Sequence, residues 1–424
     1  MDRFVVEGKQ PLGGEIRVGG NKNAVLPMIA AALLTDEEVV LRNVPRLVDV
    51  TNMLEIASSL GVSVSFEKDV LRLRAAKLKT CEVPHELCSR VRTSILFAGP
   101  LVGRCGEAVL WPPGGDVIGR RRIDGHFYGL HSLGAELITS EPPFHFRVAQ
   151  RLRGRDLFLD EASVTATENI MMAAVLAEGK TILRNAAAEP HVRQLAELLN
   201  LMGAKISGLD TNTLYIEGVE RLGGADMVLD GDHIEAGSYL CLGAALGAEL
   251  RIMGTVPRHY WMTRRIFERF GVRMELNPDH IFLPGGQRLV VEPDFGNAIP
   301  VISDGPWPQF PSDMMSCMIV TATQAKGTVL FFEKMFESRI YFVDRLISMG
   351  ANAIVCDPHR AVISGPAELR GQELASPDIR AGMALLIAAL CARGRSVINN
   401  AEIIARGYEN LEAKLSFLGA KISS

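Results

Sequence analysis

The sequence has little of what marks a disulfide-bonded, zinc-binding or membrane-spanning protein. Its seven cysteines are odd in number, are dispersed over 424 residues and form no Cys-x-x-Cys pair. This spacing argues against a disulfide framework or a zinc site, and it favours reduced thiols in a cytoplasmic protein. No apolar run reaches the roughly 18 residues that a membrane span needs. The net charge of −4 gives no bulk attraction to nucleic acid or to anionic lipid.

Self-similarity is the most informative feature that is present. A helical pattern that ends in glycine and continues into a short strand recurs six times, at intervals of about 70 residues. Glycine after the last helical residue predicts a positive φ at the end of each helix. The six glycines are Gly61, Gly134, Gly203, Gly271, Gly350 and Gly419.

Each repeat also holds a second helix that is apolar on nearly every side, which predicts a buried helix. The six segments are 24–34, 94–103, 169–179, 236–247, 314–327 and 381–394. The glycine-terminated helices are amphipathic and should lie nearer solvent. The pattern therefore predicts an α/β protein of inside-out construction, with six units divided into two domains of three.

Polar residues precede every one of these buried helices. Lys22, Arg92 and Arg380 are cations at ends that carry partial positive charge, which is unfavourable unless an anion compensates them. Capping alone accounts for Ser163 and Asp313, but not for the cations. We expect an anion-binding site at these ends.

A glycine-rich loop, WPPGGDVIGRRRIDGH at 111–126, supplies further charged groups. Its prolines and glycines exclude helix and central strand, and they place Asp116 near the tip. Three arginines follow at 120–122. The loop offers a carboxyl group, backbone amides and cations, which suits proton transfer on an anionic substrate. A surface turn with a solvated charge run is the plain alternative.

Seven stretches resemble the enolpyruvyl transferases, in order and from end to end of the chain. They are GGNKNAVLP (19–27), PPGGDVIGRRRID (112–124), SVTATENIMMAAVLAEG (163–179), FPSDM (310–314), FESR (336–339), PDIRAG (377–382) and ARGYENLEAKL (405–415). The resemblance implies two inside-out α/β barrel domains, each of three repeated units, with an interdomain cleft. It places 1–21 with 232–424 in one domain and 22–231, with the active-site loop 111–124, in the other.

The resemblance also implies a reaction. The enolpyruvyl group of phosphoenolpyruvate passes to the 3′-hydroxyl of UDP-N-acetylglucosamine by addition and elimination, with release of phosphate and without a metal or organic cofactor. This is the first committed step of peptidoglycan synthesis. No nucleic-acid or membrane partner is expected; the sequence does not fix the oligomeric state, and a monomer is the simplest expectation.

Residue roles follow from the same resemblance. Asp116 corresponds to the acid and Asp313 to the base. The cations Lys22, Arg121 and Arg406 correspond to the phosphate and phosphoenolpyruvate clamp, Arg339 and Arg380 complete the cation ring, and Asp378 lies near it. The positions that match sugar-nucleotide contacts are Asn23, Arg92, Arg121, Arg122, Ile123, Asp124, Gly125, Ser163, Val164, Thr165 and Met335.

Some positions depart from the family pattern. Most members carry Cys at the position of Asp116, and Arg122, Glu161, Thr165 and His191 also differ. Two alternatives therefore remain beside the main interpretation. One is an enolpyruvyl transferase that acts on another nucleotide or on a shikimate-like acceptor. The other is a non-catalytic paralogue that binds a nucleotide sugar, although a decayed site should have lost some of the charged residues that this chain keeps.

Overall fold

The computed structural model describes residues 3–115, 118, 119 and 121–424. The described chain divides into two compact units. The first unit contains residues 3–19, 118–119 and 231–424, and the second unit contains 20–115 and 121–230. Asp116 and Arg120 of the glycine-rich loop lie outside the described residues.

Short strands, mostly of three to six residues, supply the sheets of both units. In the described chain they are β1 Arg3–Glu7, β2 Gly14–Arg17, β3 Glu38–Arg42, β4 Ser63–Glu67, β5 Val70–Arg74, β6 Glu107–Leu110, β7 Ala135–Thr139, β8 Phe144–Val148, β9 Asp156–Phe158, β10 Lys180–Arg184, β11 Lys205–Ser207, β12 Thr213–Glu217, β13 Ala225–Val228, β14 Leu250–Met253, β15 Glu275–Leu276, β16 His280–Leu283, β17 Val301–Ser303, β18 Gly327–Phe332, β19 Asn352–Asp357, β20 Arg360–Gly365, β21 Glu373–Ala375, β22 Arg395–Asn399 and β23 Lys421–Ser423.

The helices alternate with these strands. They are α1 Lys22–Ala31, α2 Val48–Ser59, α3 His85–Cys88, α4 Ala98–Cys105, α5 Asp124–Ser132, α6 Val164–Ala174, α7 Pro190–Leu201, α8 His233–Leu246, α9 Trp261–Glu268, α10 Ser312–Thr323, α11 Val343–Ser348, α12 Ile379–Cys391, α13 Ala401–Ala405 and α14 Leu411–Phe417. Short 3₁₀ helices cover Ala32–Leu34, Arg92–Phe97, Pro257–Tyr260, Phe295–Asn297 and Arg339–Phe342. No helix within the described ranges is long and apolar enough to cross a membrane.

Within the described residues, six small sheets repeat one topology, three in each unit. Five of them join one parallel pair of strands to two antiparallel pairs: β21-β22-β1-β23, β2-β14-β16-β15 and β17-β18-β20-β19 in the first unit, and β13-β3-β5-β4 and β9-β10-β12-β11 in the second. The sixth, β6-β8-β7, keeps the antiparallel pairs. Its parallel neighbour is reduced to a single bridge between Glu82 and Val109. The sheets thus carry the sixfold repeat that the glycines predict.

The apolar helices form the interiors of the units. In the first unit α8, α10 and α12 pack against one another, and all thirteen residues of α12 are buried. In the second unit α1, α4 and α6 occupy the corresponding core. Strands such as β5 and β12 alternate buried and exposed residues, so their sheets keep one face toward solvent. The α/β class and the inside-out arrangement predicted from the sequence are confirmed.

The glycine after each outer helix takes the expected backbone conformation. All six glycines have φ between 73° and 105°. Five of them come two positions after the last helical residue, for instance Gly61 after Ser59, where α2 ends. Gly271 comes three positions after Glu268, where α9 ends. A side chain is disfavoured there because the Cβ crowds the backbone at positive φ.

The helix predicted at 94–103 differs from expectation. It begins as the 3₁₀ helix Arg92–Phe97 and becomes regular only in α4. Pro100, the third residue of α4, lacks the backbone N–H that a continuous α-helix from Arg92 would use at this place. The buried side chain of Asn169 accepts the Gly99 N–H at 2.6 Å instead.

Candidate functional site

In the first unit, Asp313 lies between two buried arginines. Asp313 is the second residue of α10, whereas Arg339 begins a 3₁₀ helix and Arg380 lies in the first turn of α12. Arg339 Nη2 donates to Asp313 Oδ1 at 2.6 Å. Arg380 donates from Nε at 3.1 Å and from Nη2 at 2.9 Å to Oδ2. Each carboxylate oxygen is therefore held by a different guanidinium group.

This arrangement corrects one sequence-based expectation. Capping was expected to account for Asp313, but Pro311 occupies the N-cap position and the α10 N-terminus has no side-chain cap. The carboxylate turns to the arginines because an ion pair with two guanidinium groups is stronger than a bond to a neutral amide. Sequence alone could not decide this, since both partners are distant along the chain.

The arginines control the protonation of Asp313. Burial by itself would raise the pKa of this carboxyl group, but the charges and hydrogen bonds of Arg380 and Arg339 outweigh burial and hold it well below its usual value. The Asp313 side chain keeps 27% of its surface exposed, whereas Arg339 and Arg380 keep 6% and 7%. Asp313 is thus ionised, a weak base in this state, and open to solvent on one edge.

Arg339 has more donors than the protein satisfies. Within the described part of the chain, its Nε and Nη1 groups are buried and have no hydrogen-bond acceptor. Buried donors on a charged group are costly to leave unpaired. An anionic ligand with oxygens near Asp313 would satisfy them.

The guanidinium group of Arg380 lies over the Tyr408 ring, and its backbone N–H is bound at the start of α12. Its guanidinium carbon lies 5.5 Å from the Tyr408 ring centroid, and the Tyr408 hydroxyl is 2.8 Å from Ser238 Oγ. Asp378 Oδ1 accepts the backbone N–H groups of Arg380 and Ala381 at 2.8 and 2.9 Å. Asp378, predicted to lie near the cation ring, therefore caps α12 beside that ring.

In the second unit, Lys22 has an acidic partner that sequence reasoning missed. Lys22 is the first residue of α1, and its Nζ lies 2.7 Å from Asp49 Oδ2, with both side chains almost fully buried. Asn21 caps the helix by accepting the N–H groups of Asn23 and Ala24. An acid in the first turn of α2 looks like an ordinary helix-terminal residue, so no local pattern marks Asp49 as the partner of Lys22.

Arg92 holds the backbone at the start of α5. Its Nη2 donates at 2.9 Å to the carbonyl oxygens of both Arg121 and Arg122. Burial, together with the Arg121 charge, lowers the pKa of Arg92 to about 10. Arg122 pairs with Asp124 at 2.8 Å on an exposed surface.

The buried His126 of α5 links that helix to the N-terminus of α6, where Ser163 is the N-cap. Ser163 Oγ accepts the Ala166 N–H at 3.4 Å and so acts as the cap. His126 Nε2 lies 3.1 Å from Thr165 Oγ1, and its Nδ1 lies 2.9 Å from the amide nitrogen of Asn169. That amide nitrogen can only donate, so Nδ1 is the acceptor and Nε2 carries the hydrogen toward Thr165. Burial, assisted by Arg92, lowers the pKa of His126 to about 3.

The remaining predicted positions are placed as follows. Asn23 follows Lys22 in the first turn of α1, and Val164 begins α6. Ile123 precedes α5, and a Cβ at Gly125 would lie 3.2 Å from the Ala166 side chain. Met335 directly precedes Phe336 in the chain and is half-buried. Arg406 follows the last residue of α13 and is also half-buried. The structure brings together Asp313, Arg339 and Arg380 in the first unit. In the second unit it links Arg92 to the backbone of 121–122, and Thr165 to α5.

Comparisons with known proteins agree on one family. Residues 6–415 match EPSP synthase (3-phosphoshikimate 1-carboxyvinyltransferase). The chain is 52% identical over 423 residues to the UDP-N-acetylglucosamine 1-carboxyvinyltransferase of Treponema denticola, covering 100% of this chain and 99% of that protein. It is 51% identical over 421 residues to the enzyme of the same name from Bradyrhizobium diazoefficiens, covering 99% and 97%.

Solved structures show the same fold. The enolpyruvyl transferase NikO from Streptomyces tendae superposes with a TM-score of 0.87 at 24% identity, covering 99% of this chain and 98% of that one. EPSP synthase from Acinetobacter baumannii gives 0.76 at 17% identity, with complete coverage of both chains.

Proposed function

Because the chain belongs to the EPSP synthase family of enolpyruvyl transferases, we propose that it transfers the 1-carboxyvinyl group of phosphoenolpyruvate to the 3′-hydroxyl of UDP-N-acetylglucosamine. Phosphate is the second product. Full-length relatives at about half identity carry the name of this reaction. We further infer that the product enters peptidoglycan synthesis and that the enzyme acts in the cytoplasm.

The observation that carries the proposal is the carboxylate between two arginines in the first unit. Phosphoenolpyruvate brings a carboxylate and a phosphate, and the buried N–H groups of Arg339 that lack an acceptor among the described residues suit the carboxylate. Asp313 is then the neighbouring group that can take a proton from the sugar hydroxyl.

The chemistry has two steps. A proton is added to the methylene carbon of phosphoenolpyruvate while the sugar oxygen forms a bond to C2, and a base takes the hydroxyl proton. The resulting tetrahedral intermediate then loses a proton from the new methyl group, and the C2–O bond to phosphate breaks. We assign the base to Asp313 and, by resemblance, the acid to Asp116, which lies outside the described residues.

Substrate binding would make Asp313 a better base. In the structure its two arginines hold its pKa low. A substrate carboxylate that draws the guanidinium groups toward itself weakens their interaction with Asp313 and raises that pKa toward the range in which it accepts a proton. The base would thus gain strength only when the donor substrate is in place.

The remaining contacts that we propose follow the resemblance. We assign the phosphate of phosphoenolpyruvate to Lys22, Arg121 and Arg406. The ion pair with Asp49 orients the Lys22 ammonium group. The sugar nucleotide contacts the positions around Asn23, Arg92 and Ser163–Thr165, where helix N-termini favour its phosphates.

Phosphate release with a panel of acceptors tests the proposal. Purified protein with phosphoenolpyruvate should release phosphate only when UDP-N-acetylglucosamine is added. Shikimate 3-phosphate and other UDP sugars serve as matched alternatives. Release with one of them but not with UDP-N-acetylglucosamine would reject the acceptor and keep the reaction class. No release with any acceptor, from protein shown to be folded, would reject the activity.

A further inference from the structure

Two buried carboxyl groups lie near Asp313, Arg339 and Arg380, which we call the Asp313 cluster. They take no part in the chemistry above. Asp304 follows β17 and Glu333 follows β18, and both are 0% exposed. β17 and β18 are parallel and Ser303 is opposite Phe332, so the two acids lie side by side where the strands end. Two ionised carboxylates in such a place would repel each other at low dielectric.

A proton shared between the two carboxyl groups would account for the hydrogen bonds around them. Lys334 N donates to Asp304 Oδ1 at 2.5 Å. Asp304 Oδ2 is buried and accepts no hydrogen bond from a nitrogen or hydroxyl donor of the described chain. The adjacent Glu333 carboxyl can supply the missing hydrogen if it is protonated. Burial and the bond to Asp304 raise the pKa of Glu333 to about 9, although Arg339 and Ser312 oppose this.

Glu333 also contacts both segments that carry the Asp313 cluster. Ser312 Oγ donates to its two oxygens at 2.8 and 3.0 Å, and Ser312 immediately precedes Asp313. Phe336 N donates to Glu333 Oε1 at 3.2 Å, within the segment that leads to Arg339. One side chain thus joins the start of α10 to the segment 333–339.

We propose that Glu333 is a positioning residue: protonated and hydrogen-bonded to Asp304, it holds Ser312 and Phe336 and thereby sets the places of Asp313 and Arg339. The proposal rests on the proposed function in so far as Asp313 and Arg339 act on the substrates. The charged or titratable groups that face Glu333 are Asp304, Arg339 and His359, whose Nδ1 lies 2.7 Å from the Glu333 carbonyl oxygen.

The first test compares Glu333→Gln with Glu333→Ala. Glutamine keeps one acceptor for Ser312 and Phe336 and gives its amide hydrogen to Asp304, so kcat should stay within about threefold of native. Alanine removes all of these contacts, and kcat should fall about tenfold to a hundredfold, because small displacements of reacting groups are costly. Affinity for UDP-N-acetylglucosamine, measured by calorimetry, should change little in either variant. Glu368→Gln, a 73% exposed carboxylate, is the control for the chemical change.

If Glu333→Gln loses as much kcat as Glu333→Ala while folded, the carboxyl group has a chemical role and positioning is wrong. If Glu333→Ala keeps the native kcat, Glu333 does not set the positions of Asp313 and Arg339. If Glu333→Ala does not fold, Asp304→Ala and Ser312→Ala, which each remove a contact of Glu333, must lower kcat without weakening sugar-nucleotide binding.

The second test does not depend on turnover. Glu333 keeps its proton in the folded protein up to about pH 9, whereas the unfolded chain loses it near its usual pKa of about 4.3. Native protein should therefore lose stability relative to Glu333→Gln as the pH rises between these values, by up to tenfold in the folding constant per pH unit. Parallel stability curves for the two proteins would contradict the shared proton. An inactive native protein would reject the proposed function and leave this result unaffected.

Discussion

Among single residues, Asp313 is the group proposed to take the proton from the sugar hydroxyl. Its substitution by alanine should lower kcat by about a hundredfold to ten-thousandfold, the usual contribution of a general base. Binding of UDP-N-acetylglucosamine should persist, because the base acts mainly in the transition state. Steady-state kinetics and calorimetry on Asp313→Ala and Asp313→Asn measure both effects. A fully active Asp313→Asn enzyme would show that the carboxylate is dispensable.

Asp116 makes a second residue-level prediction. A thiolate such as that of the family's usual Cys is a far better nucleophile than a carboxylate, so an epoxide such as fosfomycin should not alkylate Asp116. Native protein incubated with fosfomycin and sugar nucleotide should form no covalent adduct by intact-mass spectrometry. Asp116→Cys should form one, and Asp116→Ala should lose turnover while its unfolding temperature stays native. A stoichiometric adduct on native protein would overturn this interpretation of Asp116.

At the scale of elements, the cap of α12 can be separated from substrate binding. Asp378→Ala removes the acceptor for two backbone N–H groups and should reduce the free energy of unfolding by about 1 kcal/mol. Asp378→Asn keeps the capping oxygen and should restore most of that stability. Urea unfolding of both variants tests this. Equal destabilisation by Asn and Ala would show that the charge, rather than the cap, is what matters.

The helix α5 carries a pH-dependent contribution through His126. The pKa of His126 is about 3, below the usual value of about 6.5. Between these pH values His126 is protonated in the unfolded chain and neutral in the folded chain. Stability should therefore fall as the pH drops from about 6.5 toward 3, by up to tenfold in the folding constant per unit. His126→Gln should lack this component, and His131→Gln, exposed on the same helix, is the control. Identical pH slopes for native protein and His126→Gln would contradict the assignment.

Elements were predictable from sequence where the signal is local. The apolar helices and the glycines that end the outer helices are set by residues a few positions apart, and the structure confirms both. The 3₁₀ start at Arg92 and the single bridge at Glu82 depend on Pro100 and on packing across the unit. Partners such as Asp49 for Lys22, or Glu333 for Ser312, are distant in sequence and have no local signature.

At the scale of the whole molecule, the sixfold repeat explains where the charged residues come from. Polar residues lie at or just before the starts of the buried segments, and the positive ends of helices favour anions. In the structure Asp49 pairs with Lys22 and Asp313 pairs with Arg380, whereas Arg92 donates to backbone carbonyl oxygens. A substrate anion would compete with these internal partners for Lys22, Arg339 and Arg380.

A reaction in heavy water can show whether the 1-carboxyvinyl group is transferred by addition and elimination. With phosphoenolpyruvate and UDP-N-acetylglucosamine, the account predicts equimolar phosphate and a sugar nucleotide that bears a carboxyvinyl ether at the 3′-oxygen. Its methylene should contain solvent deuterium, since a methyl group forms and then loses a hydrogen. Mass spectrometry and proton NMR detect both features. Unmodified sugar nucleotide, or phosphate released together with pyruvate, would contradict the account.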